Sequence, residues 1–523
     1  MVIATSPKDP QSENSRRSRL ELRANLSWLL AAIAFLLVAD GRNTIALAAW
    51  LAPACLLRFL RKERVLPGLA IAYVALVITR GIAFRGMVPI PGVFYYIFAV
   101  ISAISALLPY VADRLLAKRL GQFSATLVFP CTLVCTQFLY SHGPQGSWGT
   151  LAYTQTGNLP LLQLLSVTGI WGVTFLIGWF AAVVNSALDR PRTLRPLAAF
   201  ALIYLAVILS GGARLAFFPP SSPSVRVASL SPAEQPQQPA FNDLNAIVAG
   251  RATSSQVSAF RIASAAVAND LLLRSALEAS AGAKIVFWSE TAVYVLAEDE
   301  PALLERGREL AQTDHIYLGM TLGTWTPDAP KPLQNKLVLI EPDGNVAWQY
   351  LKAHPTPGPE TAASVQSDGR LKWFDSKYGR VVGAICYDMD FPSLLGQAGA
   401  DRADIVISPA GDWRAIDPRH TEMASFRAIE EGFNLARQTN QGLSAAYDYE
   451  GHQLAHMDQY QAQELSMVAQ LPTRGVRTFY SLFGNWFAWL CLVVLIGLVW
   501  AAWIRQSTHY KDTHQPRGPA VHG

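Results

Sequence analysis

Charge is what this chain has little of. Asp, Glu, Lys and Arg make up 15% of its 523 residues, where ordinary soluble domains carry about 25%. The deficit gathers in long apolar runs towards both ends, which excludes a uniformly soluble protein and points to a membrane bundle with one polar segment. Cysteine is sparse too. Of the five, Cys55, Cys131, Cys135 and Cys491 lie in apolar runs, so Cys386 stands alone in the polar segment and a structural disulfide is not expected there. Zinc-type Cys/His spacing, a phosphate-binding glycine loop and internal repeats are all missing. No cofactor or metal is expected, and His509, His514 and His522 read as a disordered tail. The formal charge of +5 resides mostly in short basic loops and calls for no nucleic-acid partner.

What is present begins with about eight apolar runs, near 26–40, 43–60, 66–83, 88–112, 122–141, 160–187, 195–217 and 483–504. Each approaches the roughly 20 residues that span a bilayer core. The basic start before the first run also fits a signal peptide, but further runs follow closely and no small-residue cleavage site stands out. Lys and Arg alternate between connections. The start (Lys8, Arg16, Arg17, Arg19, Arg23) and the second, fourth and sixth connections (Arg61, Lys62, Arg64; Arg114, Lys118, Arg119; Arg190, Arg192, Arg195) are basic, whereas the others hold Arg42, then Arg80 and Arg85, then none. By the positive-inside rule the start is cytoplasmic and seven crossings deliver the polar segment outward. The expected division is a cytoplasmic start (1–25), seven spans (26–217), an exported polar segment (218–482), a final span (483–504) and a cytoplasmic tail (505–523).

Within the polar segment, strand-like runs alternate with helical ones. Strand 225–231 is followed by a Pro/Gln-rich stretch, helix 254–281, strand 284–288 and helix 301–312. A hairpin of 336–341 and 346–351 turns at Pro342, Asp343 and Gly344. Then come strand 381–386, helix 391–399, strand 404–410, helix 418–432 and strands near 434–439 and 442–448. That order predicts a layered α/β domain with reactive groups at strand ends.

Three such groups stand out: Glu290 after IVFW, Lys352 at the end of the hairpin, and Cys386 after VVGAI. Singly each has an ordinary explanation, as a loop carboxylate, an exposed lysine and a buried thiol. Together they supply a general base, an oxyanion-stabilising cation and a nucleophile. Glu360, eight residues after Lys352, is placed to hold that lysine, and Trp413 to wall a pocket.

WSE (288–290), YLK (350–352) and ICYD (385–388) resemble the Glu–Lys–Cys triad of the nitrilase, or carbon–nitrogen hydrolase, superfamily. SPAGDW (408–413) followed by RHTEMASFRAIEEGFNLARQTNQG (419–442) resembles the downstream part of its αββα sandwich. The segment SWGTLAYTQTGNLPLLQLLSVTGIWGVTFLIGWFAAVVNSAL (147–188) resembles the membrane signature of the apolipoprotein N-acyltransferases. That resemblance implies a multi-pass helical bundle in a bacterial inner membrane carrying a nitrilase-like sandwich in the periplasm. It also implies a phospholipid acyl donor, a Cys386 thioester, a diacylglyceryl-lipoprotein acceptor and a monomer. Glu290, Lys352 and Cys386 would be catalytic, with Glu360, Tyr387, Asp388 and Trp413 in support. The chain departs from the family pattern at Ser289, where proline is usual, at the loop Pro355–Thr356–Pro357–Gly358–Pro359–Glu360, and at Asp388, where glutamate is usual. A membrane-tethered amide hydrolase, an acyltransferase for another exported amine and a non-catalytic lipid-binding relative are the alternatives.

Overall fold

The computed structural model describes residues 10–90, 92–190, 193–233, 244–462 and 465–514. Most of the Pro/Gln-rich stretch, His522 and the side chains of His509 and His514 lie outside the described residues. Eight long helices stand where the apolar runs predict them: Pro10–Ala39, Ala46–Lys62, Val65–Ala83, Val93–Leu116, Gln122–Tyr140, Ile170–Asp189, Arg195–Phe217 and Trp486–His514. Six are long and apolar enough to cross a membrane. The other two are the first pair, the apolar part of the first being Arg23–Ala39 and the second having 17 residues. Seventeen residues rise about 25 Å, at the short end of what a bilayer core requires. The tail read as disordered continues the last helix to His514.

Two runs differ from expectation. The run at 88–112 starts its helix only at Val93, because Pro89 and Gly92 (φ +61°) keep the chain before it out of helical conformation. The run at 160–187 is broken. Two single turns, Leu159–Leu162 and Leu165–Thr168, precede helix Ile170–Asp189. Gly169 sits at φ +62°, in the left-handed region that glycine tolerates best, and the Ile170 N–H donates to the Glu430 carboxylate at 2.7 Å. An acidic side chain from the polar segment thus starts a helix of the bundle, which is favourable at a helix N-terminus.

The polar segment forms two sheets. The first runs in the order Ser466–Pro472, Ser224–Leu230, Ile285–Trp288, Tyr317–Trp325, Leu333–Ile340, Val346–Leu351, with Val293–Leu296 also paired to Tyr317–Trp325. The second runs Gln453–Asp458, Leu443–Tyr447, Asn434–Asn440, Ile405–Gly411, Gly379–Gly383, Lys372–Ser376. Alternation along the strands builds the layers. Val225, Val227, Ile285 and Phe287 share one core with Val381, Ile405, Ile407 and Leu435 of the other sheet. Their neighbours Ala228, Leu230, Val286 and Trp288 pack instead under helices Ser254–Ser280 and Glu300–Asp314. The result is the expected αββα sandwich.

Helix Arg419–Glu431 joins sandwich and bundle. Its Ala424 and Ala428 pack in the hydrophobic cluster of the sandwich. Its Met423, Phe426 and Ile429 pack with Tyr153, Leu161 and Trp171 of the bundle. The helix stops at Gly432 (φ +81°), whose carbonyl accepts from Val476 N at 2.7 Å and where a Cβ would strike the Val476 carbonyl. Gly432→Ala should therefore destabilise the protein by about 1–3 kcal/mol, read as a lowered unfolding temperature of the detergent-solubilised chain. An unchanged transition would show that the close approach at Val476 does not constrain the fold.

Candidate active site

Strand ends bring the site together. After Ile285–Trp288, Ser289 N donates to Leu230 O at 2.8 Å and Glu290 N to Ala410 O at 3.3 Å, so this turn is tied to both sheets. Lys352 follows Val346–Leu351, with its N–H on Asn335 O at 2.9 Å. Cys386 differs from expectation. Its strand ends at Gly383, and Cys386 opens a 3-10 turn, Cys386–Asp390, at φ +50°. A non-glycine residue there costs about 1–3 kcal/mol and persists only where its surroundings hold it. Asp388 does the holding. Its Oδ2 accepts from Tyr350 OH at 2.7 Å and Ile385 N at 3.0 Å, and its Oδ1 from His354 N at 2.8 Å.

Lys352 is the hub. Its Nζ donates to Glu290 Oε1 at 2.7 Å and to Glu360 at 2.9 and 2.8 Å, with only 2% of the side chain exposed. Asn335 Nδ2 donates to the same two carboxylates, at 2.7 and 2.9 Å. Burial works against the ammonium, but Glu290 and Glu360 outweigh it and hold its pKa well above the usual lysine range. Burial likewise opposes the Glu360 charge, and Lys352 overcomes it and keeps that carboxyl below its usual value. The Cys386 thiol goes the other way. Burial, and then the Glu290 charge, push it well above the usual cysteine range despite Lys352. Its Sγ lies 3.7 Å from Gly411 O. A Cβ on Gly411 would lie 3.4 Å from Glu290 Oε2, so the absence of a side chain there keeps the space beside carboxylate and thiol open.

A cavity of about 260 Å³ opens above Cys386. One wall is Tyr387, Trp413, Ile416 and Pro357 from the sandwich; the other is Met87 to Ile90, Phe98 and Trp148 from the bundle and its loops. Tyr387 OH donates to Pro144 O at 3.0 Å and Trp413 Nε1 to Gly86 O at 2.7 Å, so both residues strap the walls together. The unusual loop borders this cavity through Thr356 and Pro357, and Thr356 N donates to Glu360 Oε2 at 2.8 Å. All seven residues singled out in the sequence thus lie at or around one site.

Sequence reasoning missed a second set beside the thiol. Asp412 and His420 offer atoms within 4.8 Å of each other and of Cys386 Sγ. His420 Nδ1 is 2.7 Å from Asp412 Oδ1, and Arg437 Nη2 lies 2.9 Å from the same nitrogen. Burial alone would lower the His420 pKa, but Asp412 and Asp390 raise it to about 9 in spite of Arg437. A protonated imidazole crowded by a guanidinium is a poor metal ligand, so the donor set fits an ion network better than a metal centre. Asp412 adjoins the Trp413 already singled out, which was the available signal; Arg437 lies in an ordinary-looking strand and gave none.

Comparison with known proteins agrees with this layout. The carbon-nitrogen hydrolase family model matches residues 181–476, and the apolipoprotein N-acyltransferase N-terminal domain model matches residues 27–183. An apolipoprotein N-acyltransferase of Geobacter metallireducens is 25% identical over 395 residues, covering 70% of this chain and 71% of that protein. Another, of Bradyrhizobium diazoefficiens, is 26% identical over 408 residues, covering 71% and 72%. Among solved structures, a mutant amidase from Nesterenkonia sp. AN1 aligns with TM-score 0.39 at 21% identity, over 49% of this chain and 92% of that one.

A thiol with a raised pKa has an alkylation rate that climbs about tenfold per pH unit until the pKa is reached. Timed iodoacetamide labelling of Cys386, followed by peptide mass spectrometry, should rise from pH 7 to pH 9 with no plateau. A plateau below pH 9 would mean a preformed thiolate.

Proposed function

The chain belongs to the carbon–nitrogen hydrolase family, and on that premise we propose that it N-acylates exported lipoproteins through a thioester on Cys386. The observation that carries this reading is the cavity itself: the Cys386 thiol beside a Lys352–Glu290 ion pair, under walls supplied jointly by the sandwich and the membrane bundle. Glu290 takes the thiol proton as Cys386 Sγ attacks the sn-1 ester carbonyl of a phospholipid. Lys352 stabilises the oxyanion of the tetrahedral intermediate. Collapse expels the lysophospholipid alkoxide, which recovers the proton from Glu290. The α-amine of a diacylglyceryl-cysteine then attacks the thioester, Glu290 accepts the amine proton and returns it to the departing thiolate, and the N-acylated lipoprotein leaves.

Each supporting residue has a task in this scheme. Asn335 and Glu360 fix the lysine, Asp388 holds the strained cysteine turn, and Tyr387 and Trp413 close the cavity against the bundle. Apolar walls keep water from the thioester, which separates transfer from hydrolysis. A bilayer location follows from the substrates, because each buried methylene contributes about 0.8 kcal/mol and long-chain lipids do not readily leave the membrane. With the basic connections inside, residues 218–482 face the periplasm of a two-membrane bacterium. The scheme needs no second copy of the chain.

Incubation of the purified full chain with a defined phospholipid should add one acyl mass, released by hydroxylamine and by a diacylglyceryl peptide amine. Cys386→Ala should show none of it while unfolding as the parent does. Glu290→Gln should slow adduct formation by about 10²–10⁴-fold. Acylation that persists in Cys386→Ala would remove Cys386 as the nucleophile. An adduct discharged by water and not by the peptide amine would make the protein a hydrolase.

A further inference from the structure

Far from the site, helix ends Arg61–Lys62, Asp113–Ala117, Gln122–Thr126 and Ser186–Arg190 enclose a cavity of about 300 Å³. It lies at the opposite end of the bundle from the sandwich, which packs on the loops around Gly86, Pro144 and Gly169. Its charges do not balance. Asp113 is held by Arg61, Nε at 3.0 Å and Nη2 at 2.7 Å, and Asp189 by Arg58 at 2.5 Å and Arg61 at 3.5 Å. Those pairs use both acids of the lining. Lys62, Arg114, Lys118 and Arg190 are left, with no anion in the lining to answer them.

Arg114 sets this pocket apart from an ordinary basic rim. A positive-inside loop needs only exposed cations, and Lys62, Lys118 and Arg190 are exposed. Arg114 is turned inward, 9% exposed, and spends Nη2 on Glu63 O at 2.9 Å, while its buried Nε and Nη1 have no hydrogen-bond partner among the described residues. The Glu63 carboxylate is engaged elsewhere, by Asn25 Nδ2 at 2.5 Å. Buried donors of a guanidinium are costly to leave unpaired. Arg505 adds a further cation beside Gly121 at the same end.

We propose that this pocket binds a phosphate-bearing anion, with Arg114 as its floor and Lys62, Lys118 and Arg190 as its rim. A guanidinium set among ammonium groups matches phosphate oxygens in charge and donor geometry. Two sources carry that chemistry: the headgroup of an anionic phospholipid in the leaflet opposite the catalytic site, and a free phosphate ester.

The test is native mass spectrometry of the full chain in detergent, titrated with phosphatidylglycerol and, separately, with glycerol 3-phosphate. The expected result is a phosphatidylglycerol adduct, additional to any lipid held in the cavity above Cys386, whose apparent Kd rises by about tenfold in Arg114→Gln. The double variant Lys118→Gln/Arg190→Gln, altered only at exposed positions, should weaken it similarly and decides the matter if Arg114→Gln does not fold. Displacement of the lipid by glycerol 3-phosphate at comparable concentration assigns the pocket to soluble esters; failure to displace it assigns the pocket to the headgroup. Equal affinities for both probes in parent and variants would overturn the proposal. Neither substitution touches Cys386 or its partners, so a failed acyl-transfer reading would leave this result standing.

Discussion

The site depends on one buried positive charge. Lys352 has two carboxylates within hydrogen-bonding distance and almost no solvent. An ammonium in that position is tolerable only when fully paired, and the pairing dictates much else. Glu290 has to arrive from the end of Ile285–Trp288, Glu360 from a loop that doubles back, and Asn335 from a neighbouring strand to satisfy both acids. The loop departs from the family pattern in composition yet delivers its glutamate to the same lysine, since the carboxylate is what the buried charge requires.

The thiol is governed by the complementary rule. Around Cys386, burial and then the Glu290 charge outweigh Lys352 and hold the thiol well above the usual cysteine range. In the proposed reaction, attack by the sulfur therefore coincides with loss of its proton to Glu290. The strained turn that presents the sulfur is maintained by Asp388, which gathers donors from three separate segments, Tyr350, His354 and Ile385. A carboxylate one methylene shorter than the usual glutamate meets all three.

Glu290, Lys352 and Cys386 are legible in the sequence because each follows an apolar run short enough to be a strand. Strand ends are where a sandwich can place chemistry. The helical bundle is legible from hydropathy for the same kind of reason. The break at Gly169 is not, because apolar content continues across it and the cause is a carboxylate 260 positions away. Edge strands such as Lys372–Ser376 and Gln453–Asp458 also escape notice, since apolar Trp373 and Leu454 stand at exposed positions and the apolar and polar residues do not alternate. The Asp412–His420–Arg437 network escapes for a third reason. Its meaning lies in three side chains meeting beside a thiol, and no one of them is unusual where it stands.

The straps from Trp413 to Gly86 and from Tyr387 to Pro144 carry a consequence for how such a protein can change over time. The chamber above Cys386 belongs to neither part alone. A fragment comprising only the sandwich would keep Cys386, Glu290 and Lys352 yet lose one side of the room above them. Altered substrate preference can then arise in the short loops of the bundle, without touching any reacting residue. The two parts are bound to a shared inheritance: neither can be exchanged for a distant counterpart without reshaping the vessel in which the reaction runs.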